Sequence, residues 1–162
     1  MISLGIDIGG TGCKCVAFRD DGKQLAVAYT EYPLAAGQVN LPSDILTFSV
    51  FQVIKKCTAE IPDKQQIAAI TVCSFGESFV PVDKDGNALT DILLYFSNTD
   101  SEEFNNLVSS IGEEKFMRIA RILPDASYSL SKMLYTRKVA KRPVWKYLFI
   151  ANFITYRLTG KA

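Results

Sequence analysis

Ile2-Ser3-Leu4-Gly5-Ile6-Asp7-Ile8-Gly9-Gly10-Thr11-Gly12-Cys13-Lys14 is the stretch on which the fold turns. Its apolar start, bounded by a glycine cluster, predicts a buried strand entering a tight turn. Gly9, Gly10 and Gly12 leave backbone N–H groups free to approach an anion with no Cβ in the way. Asp7, at the end of the strand, can hold Mg²⁺ through water beside that anion, while Thr11 and Lys14 add a hydroxyl donor and a positive charge. Together they are parts for gripping the phosphates of a nucleotide. The plainer alternative is a hairpin whose glycines only satisfy positive φ angles.

Two other phosphate motifs do not apply. The spacing G-x-x-x-x-G-K-[ST] of a Walker loop is absent. A dinucleotide fingerprint opens a helix, whereas Cys13-Lys14-Cys15-Val16-Ala17-Phe18 continues as strand sequence. The glycines therefore belong to a bend between two strands.

The 162 residues suit one domain, and at 48% hydrophobic they can build a substantial core. A net charge of +1 gives no argument for nucleic acid or an anionic membrane. No run approaches the ~18 apolar residues of a membrane span. No basic region followed by an apolar stretch and cleavage site opens the chain, so a cytoplasmic protein is expected. Cys13, Cys15, Cys57 and Cys73 form neither a disulfide framework nor a zinc pattern, and Cys13-x-Cys15 reads as packing. Histidine is absent altogether, which removes Ser-His nucleophiles, His-based zinc sites and imidazole acid–base chemistry. What remains is carboxylates, Lys, Mg²⁺ and backbone dipoles, a set suited to phosphoryl transfer.

Strands are predicted over 2–8, 13–19 and 24–32, with Asp20-Asp21-Gly22-Lys23 as a turn in an antiparallel meander. A helix is predicted over 43–60, started by Pro42-Ser43, with Pro62 just past its end. Ile67–Ser74 reads as a fourth strand, apolar enough to lie inside the sheet. Further on come a hairpin, 79–83 and 87–89 around Lys84-Asp85-Gly86, and an extended 91–95. Helices are expected over 101–111, 113–122 and 127–137, a strand over 145–150, and a helix over 152–158 stopped at Gly160. The order strand-strand-strand-helix-strand resembles the ribonuclease-H-like core of actin, hexokinases and Hsp70 chaperones. That implies an α/β fold, a mixed sheet with flanking helices.

Three stretches make the resemblance narrower: Gly5–Lys14; Ser74-Phe75-Gly76-Glu77-Ser78 through Tyr95; and Ser131-Lys132-Met133-Leu134 with Tyr156-Arg157-Leu158-Thr159-Gly160. Together they resemble the FGGY carbohydrate kinases. The first alone also suits ROK sugar kinases or dehydratase activator ATPases, but the first group's histidine and zinc cysteines are missing and Cys57 and Cys73 lack the second group's spacing. The resemblance implies that Asp7 organises Mg²⁺ and the transferring phosphate. Gly9, Gly10 and Gly12, with Thr11 and Lys14, cradle the ATP phosphates, and Gly76 and Glu77 approach a sugar or polyol. Glu77 can accept two hydroxyls at once; its plainer role is a solvated turn residue. Where many relatives carry an aspartate and an arginine holding sugar hydroxyls, this chain has Ser97 and Thr99, which changes the sugar held. Asn152 stands where the family often has aspartate and reads as a helix cap.

FGGY kinases have two such domains with the active site between them, and their general base lies well beyond residue 162. Residues 1–162 are thus expected to be the N-terminal part of domain one, itself unfinished. The second domain is absent, and the remaining kinase chain joins ATP and sugar as a partner. The segment alone is expected to be inactive. The sugar is not readable, and oligomeric state, including a homodimer, is left open. The competing function is a non-catalytic nucleotide or sugar sensor on the same fold.

Overall fold

The computed structural model describes residues 1–162, apart from the side chain of Gln65. β1 (Ile2–Ile8), β2 (Gly12–Arg19) and β3 (Gln24–Glu31) form the expected antiparallel meander. Alternation turns Ile2, Leu4, Ile6 and Ile8 of β1 and Cys13, Cys15 and Ala17 of β2 inward, and all are buried. After the short β4 (Asn40–Leu41), α1 (Ser43–Ala59) brings Leu46, Val50, Val53 and Cys57 into the same core. Their spacing of four, three and four residues keeps them on one helix face. Burial first, and then the neighbouring Cys57, push the Cys15 thiol up to about 12, so Cys15 packs as a neutral group.

A 3₁₀ turn, Lys64–Gln66, delivers β5 (Ile67–Ser74), which pairs parallel to β1. The sheet order is β3-β2-β1-β5, a meander extended by a parallel strand after a helical crossover, as in a ribonuclease-H-like core. One expectation fails here. Rather than lying inside, β5 is the sheet edge, with Ala68 to Thr71 exposed. The reason is that α1 packs mainly on β2 and β3, while the main helix against β5 is α5 (Ile150–Thr159).

Between them, β6 (Phe79–Val82) and β7 (Ile92–Leu93) precede the helices α2 (Ser101–Ile111), α3 (Glu113–Ala120) and α4 (Ser129–Val139), and then β8 (Lys146–Phe149). The expected hairpin around Lys84-Asp85-Gly86 forms, with Asp83 N–H donating to the Asn87 carbonyl at 3.0 Å and Leu89 N–H to the Pro81 carbonyl at 2.9 Å. Besides this arm, bridged at Val82 and Ala88, β6 pairs along its length with β8, where Phe79 meets the rings of Tyr147 and Phe149 edge-on. β7 pairs with β4. α3 stops two residues early because Arg121 turns left-handed at φ 61°. The last helix starts two residues early, directly from β8. Phe149 is its N-cap, so Asn152 lies within the first turn and is not the cap. Among the described residues no helix is long and apolar enough to cross a membrane.

Gly86 joins two of the stretches that carried the resemblance. It has φ 80°, and a Cβ there would lie 1.9 Å from the Tyr156 hydroxyl and 2.6 Å from its ring. Left-handed backbone and a ring collision add, so Gly86→Ala is expected to cost about 2–4 kcal/mol. Urea denaturation checks this; an unchanged midpoint would show that Tyr156 moves aside freely.

Candidate functional site

The parallel pairing of β1 with β5 assembles the site. Ile8 and Ser74 are its last partners, and the Phe75 N–H donates to the Ile8 carbonyl at 3.0 Å. Both chains therefore leave the sheet side by side, β1 into Gly9–Gly12 and β5 into Gly76-Glu77. Carboxyl ends of parallel strands are where open α/β sheets place their ligands.

The glycine bend is closed by Gly9 N–H donating to Gly12 O at 2.8 Å, and anchored by Tyr32 N–H on Thr11 O at 2.9 Å. Its glycines differ in what they do. A Cβ on Gly12 would fall 2.5 Å from the Thr30 carbonyl and 2.7 Å from the Tyr29 hydroxyl, so Gly12 is required by the fold. A Cβ on Gly10 would meet nothing within 4 Å. Gly10 and Thr11 instead line a cavity of about 420 Å³ with Glu31, Tyr32, Gln38 and Phe96. Asp7 and Lys14 face each other across β1 and β2, both exposed, with Cys73 of β5 beside Asp7. No group of three His, Cys, Asp or Glu gathers for a metal among the described residues. A cation beside Asp7 would thus rely on one carboxylate, water and phosphate oxygens, the ligand set that suits Mg²⁺.

Glu77 is a half-buried, left-handed residue at φ 59°, a conformation a non-glycine holds only when its surroundings fix it. The first turn of α4 fixes it: the Ser129 N–H and Oγ–H donate to Glu77 Oε2 at 2.7 and 2.6 Å. One carboxylate oxygen is committed to that grip, so the plainer alternative of a solvated turn residue gives way to a clamped one.

Sequence reasoning gave no role to the pair behind this clamp. Lys132 is fully buried, and its Nζ donates to the carbonyls of Ala126 at 2.6 Å, Ser127 at 3.1 Å and Tyr128 at 3.4 Å. Asp100, equally buried, sits 3.9 Å from Nζ with neither carboxylate oxygen hydrogen-bonded. Burial lowers the Lys132 pKa, opposed by the charges of Asp100, Glu77 and Asp125. The available signal was a lysine on the inward stripe of α4, with buried Thr136 one turn on and no acid one turn away.

Ser97 and Thr99 do not line the cavity at the glycine bend, although their neighbour Phe96 does. Ser97 is buried, its hydroxyl 2.7 Å from that of Thr99 and accepting from the Thr99 N–H at 3.2 Å. Thr99 lines a separate cavity of about 330 Å³ with Asn40, Asp91 and Tyr135. Gly76 is exposed beside Glu77.

The model of the FGGY family of carbohydrate kinases, N-terminal domain, matches residues 2–162. The L-fuculokinase of Escherichia coli K12 is 25% identical over 99% of this chain and 35% of its own length. The xylulose kinase of Staphylococcus xylosus is 18% identical over 97% of this chain and 34% of its own. The crystal structure of gluconate kinase from Lactobacillus acidophilus superimposes with TM-score 0.84 at 24% identity, covering 99% of this chain and 33% of that one. The chain thus spans about a third of the length of the curated relatives it matches.

Proposed function

This chain belongs to the FGGY family of carbohydrate kinases, as their N-terminal domain, and from that premise we propose that it serves ATP-dependent phosphorylation of a sugar, sugar acid or polyol hydroxyl. The observation that carries the reading is the parallel pairing of β1 with β5, which sets the glycine bend beside the clamped Glu77. Backbone N–H groups at Gly9 to Gly12, with Thr11 and Lys14, bind phosphate oxygens. Asp7 holds Mg²⁺ through water; when bound, the ion offsets charge on the phosphates. Glu77 and Gly76 receive the substrate, Glu77 accepting hydroxyl protons through its second oxygen. In the transfer, the substrate oxygen bonds to the γ-phosphorus, the bond to the β-phosphate bridging oxygen breaks, and the hydroxyl proton departs. The acceptor of that proton is not assigned to any of these residues. By this reading residues 1–162 are the N-terminal part of the first of two domains.

Substitutions in the bend test the phosphate assignment. Gly10→Ala is expected to leave stability unchanged, because its Cβ enters open space, yet to weaken Mg²⁺–ATP binding about tenfold by occupying the cradle. Gly12→Ala is expected to cost about 1–3 kcal/mol of stability through collision with backbone. Calorimetric titration and thermal melts separate the two; equal ATP affinity for wild type and Gly10→Ala would remove the bend from the nucleotide site. A sensor remains the second reading, favoured by Ser97 and Thr99 hydroxyls bonded to one another in place of a charged pair. A coupled assay of the intact protein across a sugar panel decides: binding of ATP and sugar without product supports the sensor.

A further inference from the structure

We infer that Lys132, with Asp100 as its counter-charge, is a positioning residue for substrate recognition, acting through the mouth of α4 on Glu77. The inference rests on the kinase reading above and concerns how one of its residues is held. Its links are all short. The Lys132 ammonium gathers the carbonyls of Ala126, Ser127 and Tyr128, the three residues leading into α4. Those residues set where Ser129 begins the helix, and Ser129 puts both its donors on a single oxygen of Glu77. Glu77 belongs to the turn after β5, so this clamp ties the end of the main sheet to α4 across much of the chain.

The asymmetry is what makes it useful. With Oε2 holding two donors, the carboxylate plane is fixed and Oε1 is left to accept from a ligand. An acceptor fixed in advance loses little freedom on binding and discriminates by hydroxyl position. Lys132 is suited to this as a lysine: a compact ammonium with several donors can serve three carbonyls from one point. The Asp100 carboxylate takes no part in capping α2, although Asp100 is that helix's N-cap residue, and neither of its oxygens is hydrogen-bonded. Its placement is explained by the ammonium it faces.

Hydrogen exchange and steady-state kinetics, on the protein as the cell makes it, test this. Lys132→Gln/Asp100→Asn removes both buried charges together. In that variant the Ser129 amide is expected to exchange about tenfold faster or more, while Val53 in α1 keeps its protection. The sugar KM is expected to rise about tenfold, as for a lost charge-assisted hydrogen bond, with the ATP KM within about twofold. Ser129→Ala, which spares the buried pair, is expected to raise the sugar KM in the same way. Unchanged Ser129 exchange, protection lost equally from α1, or sugar and ATP KM rising together each overturn the inference. A wild-type protein that phosphorylates no sugar defeats the kinase reading, and the substrate half of this inference with it. That failure is distinguishable, since Ser129 exchange needs no turnover.

Discussion

Lys132→Met is expected to lower folding stability by about 3–5 kcal/mol, the cost of leaving one partner of a buried ion pair uncompensated. Methionine keeps the length of the stem, so packing changes little. What is lost is the ammonium: Asp100 then has no cation in the interior, and three carbonyls lose a donor. Adding Asp100→Asn to the same chain should recover part of the loss, because a buried neutral amide is far less costly than a buried charge. The contrast is Arg19 with Asp21, an ion pair on the open surface whose removal should hardly register. Urea denaturation of the three variants measures all of this, with m-values guarding against a change in the unfolded state. A Lys132→Met midpoint equal to wild type would show that the buried pair contributes nothing to the stability of the fold.

Asp7→Ala should cut sugar phosphorylation about 10²–10³-fold, the usual cost of removing one electrostatic contributor at a charge-developing centre. The same substitution should leave the melting temperature alone, since Asp7 is exposed. That split between activity and stability separates a site residue from a structural one. A coupled assay on the intact protein over a range of Mg²⁺ concentrations is the measurement. Wild-type turnover by Asp7→Ala would take this carboxylate out of the reaction.

Much of the first half was legible because its signals are local. Glycines 9, 10 and 12 after an apolar run, a turn at 20–23 and a helical stripe ending before Pro62 gave the meander and α1 to within a residue or two. What failed were properties set by distant partners. The apolar run of β5 implied an interior strand, but exposure depends on which helix covers it, and α1 reaches β2 and β3. The turn at Lys84-Asp85-Gly86 implied a hairpin, which forms, but nothing local announced that β6 also pairs with β8. Glu77 was singled out as a substrate ligand by resemblance, while its Ser129 clamp lies 52 residues away and no local pattern announces it. Asp100 and Lys132 escaped for the same reason: each looks like an ordinary surface charge until the fold closes over both.

The β6–β8 ribbon has a consequence for how the molecule comes together. It joins Phe79 to Phe149, with three helices between them, whereas β1, β2 and β3 join through short turns. Contacts between remote segments repay their loop-closure entropy only once the intervening chain is in place. The glycine bend can therefore take shape with the early meander, but the Glu77 clamp must wait for α4 to dock beside the ribbon. A polypeptide leaving the ribosome would close its N-terminal bend first and lock the carboxylate after β5 last.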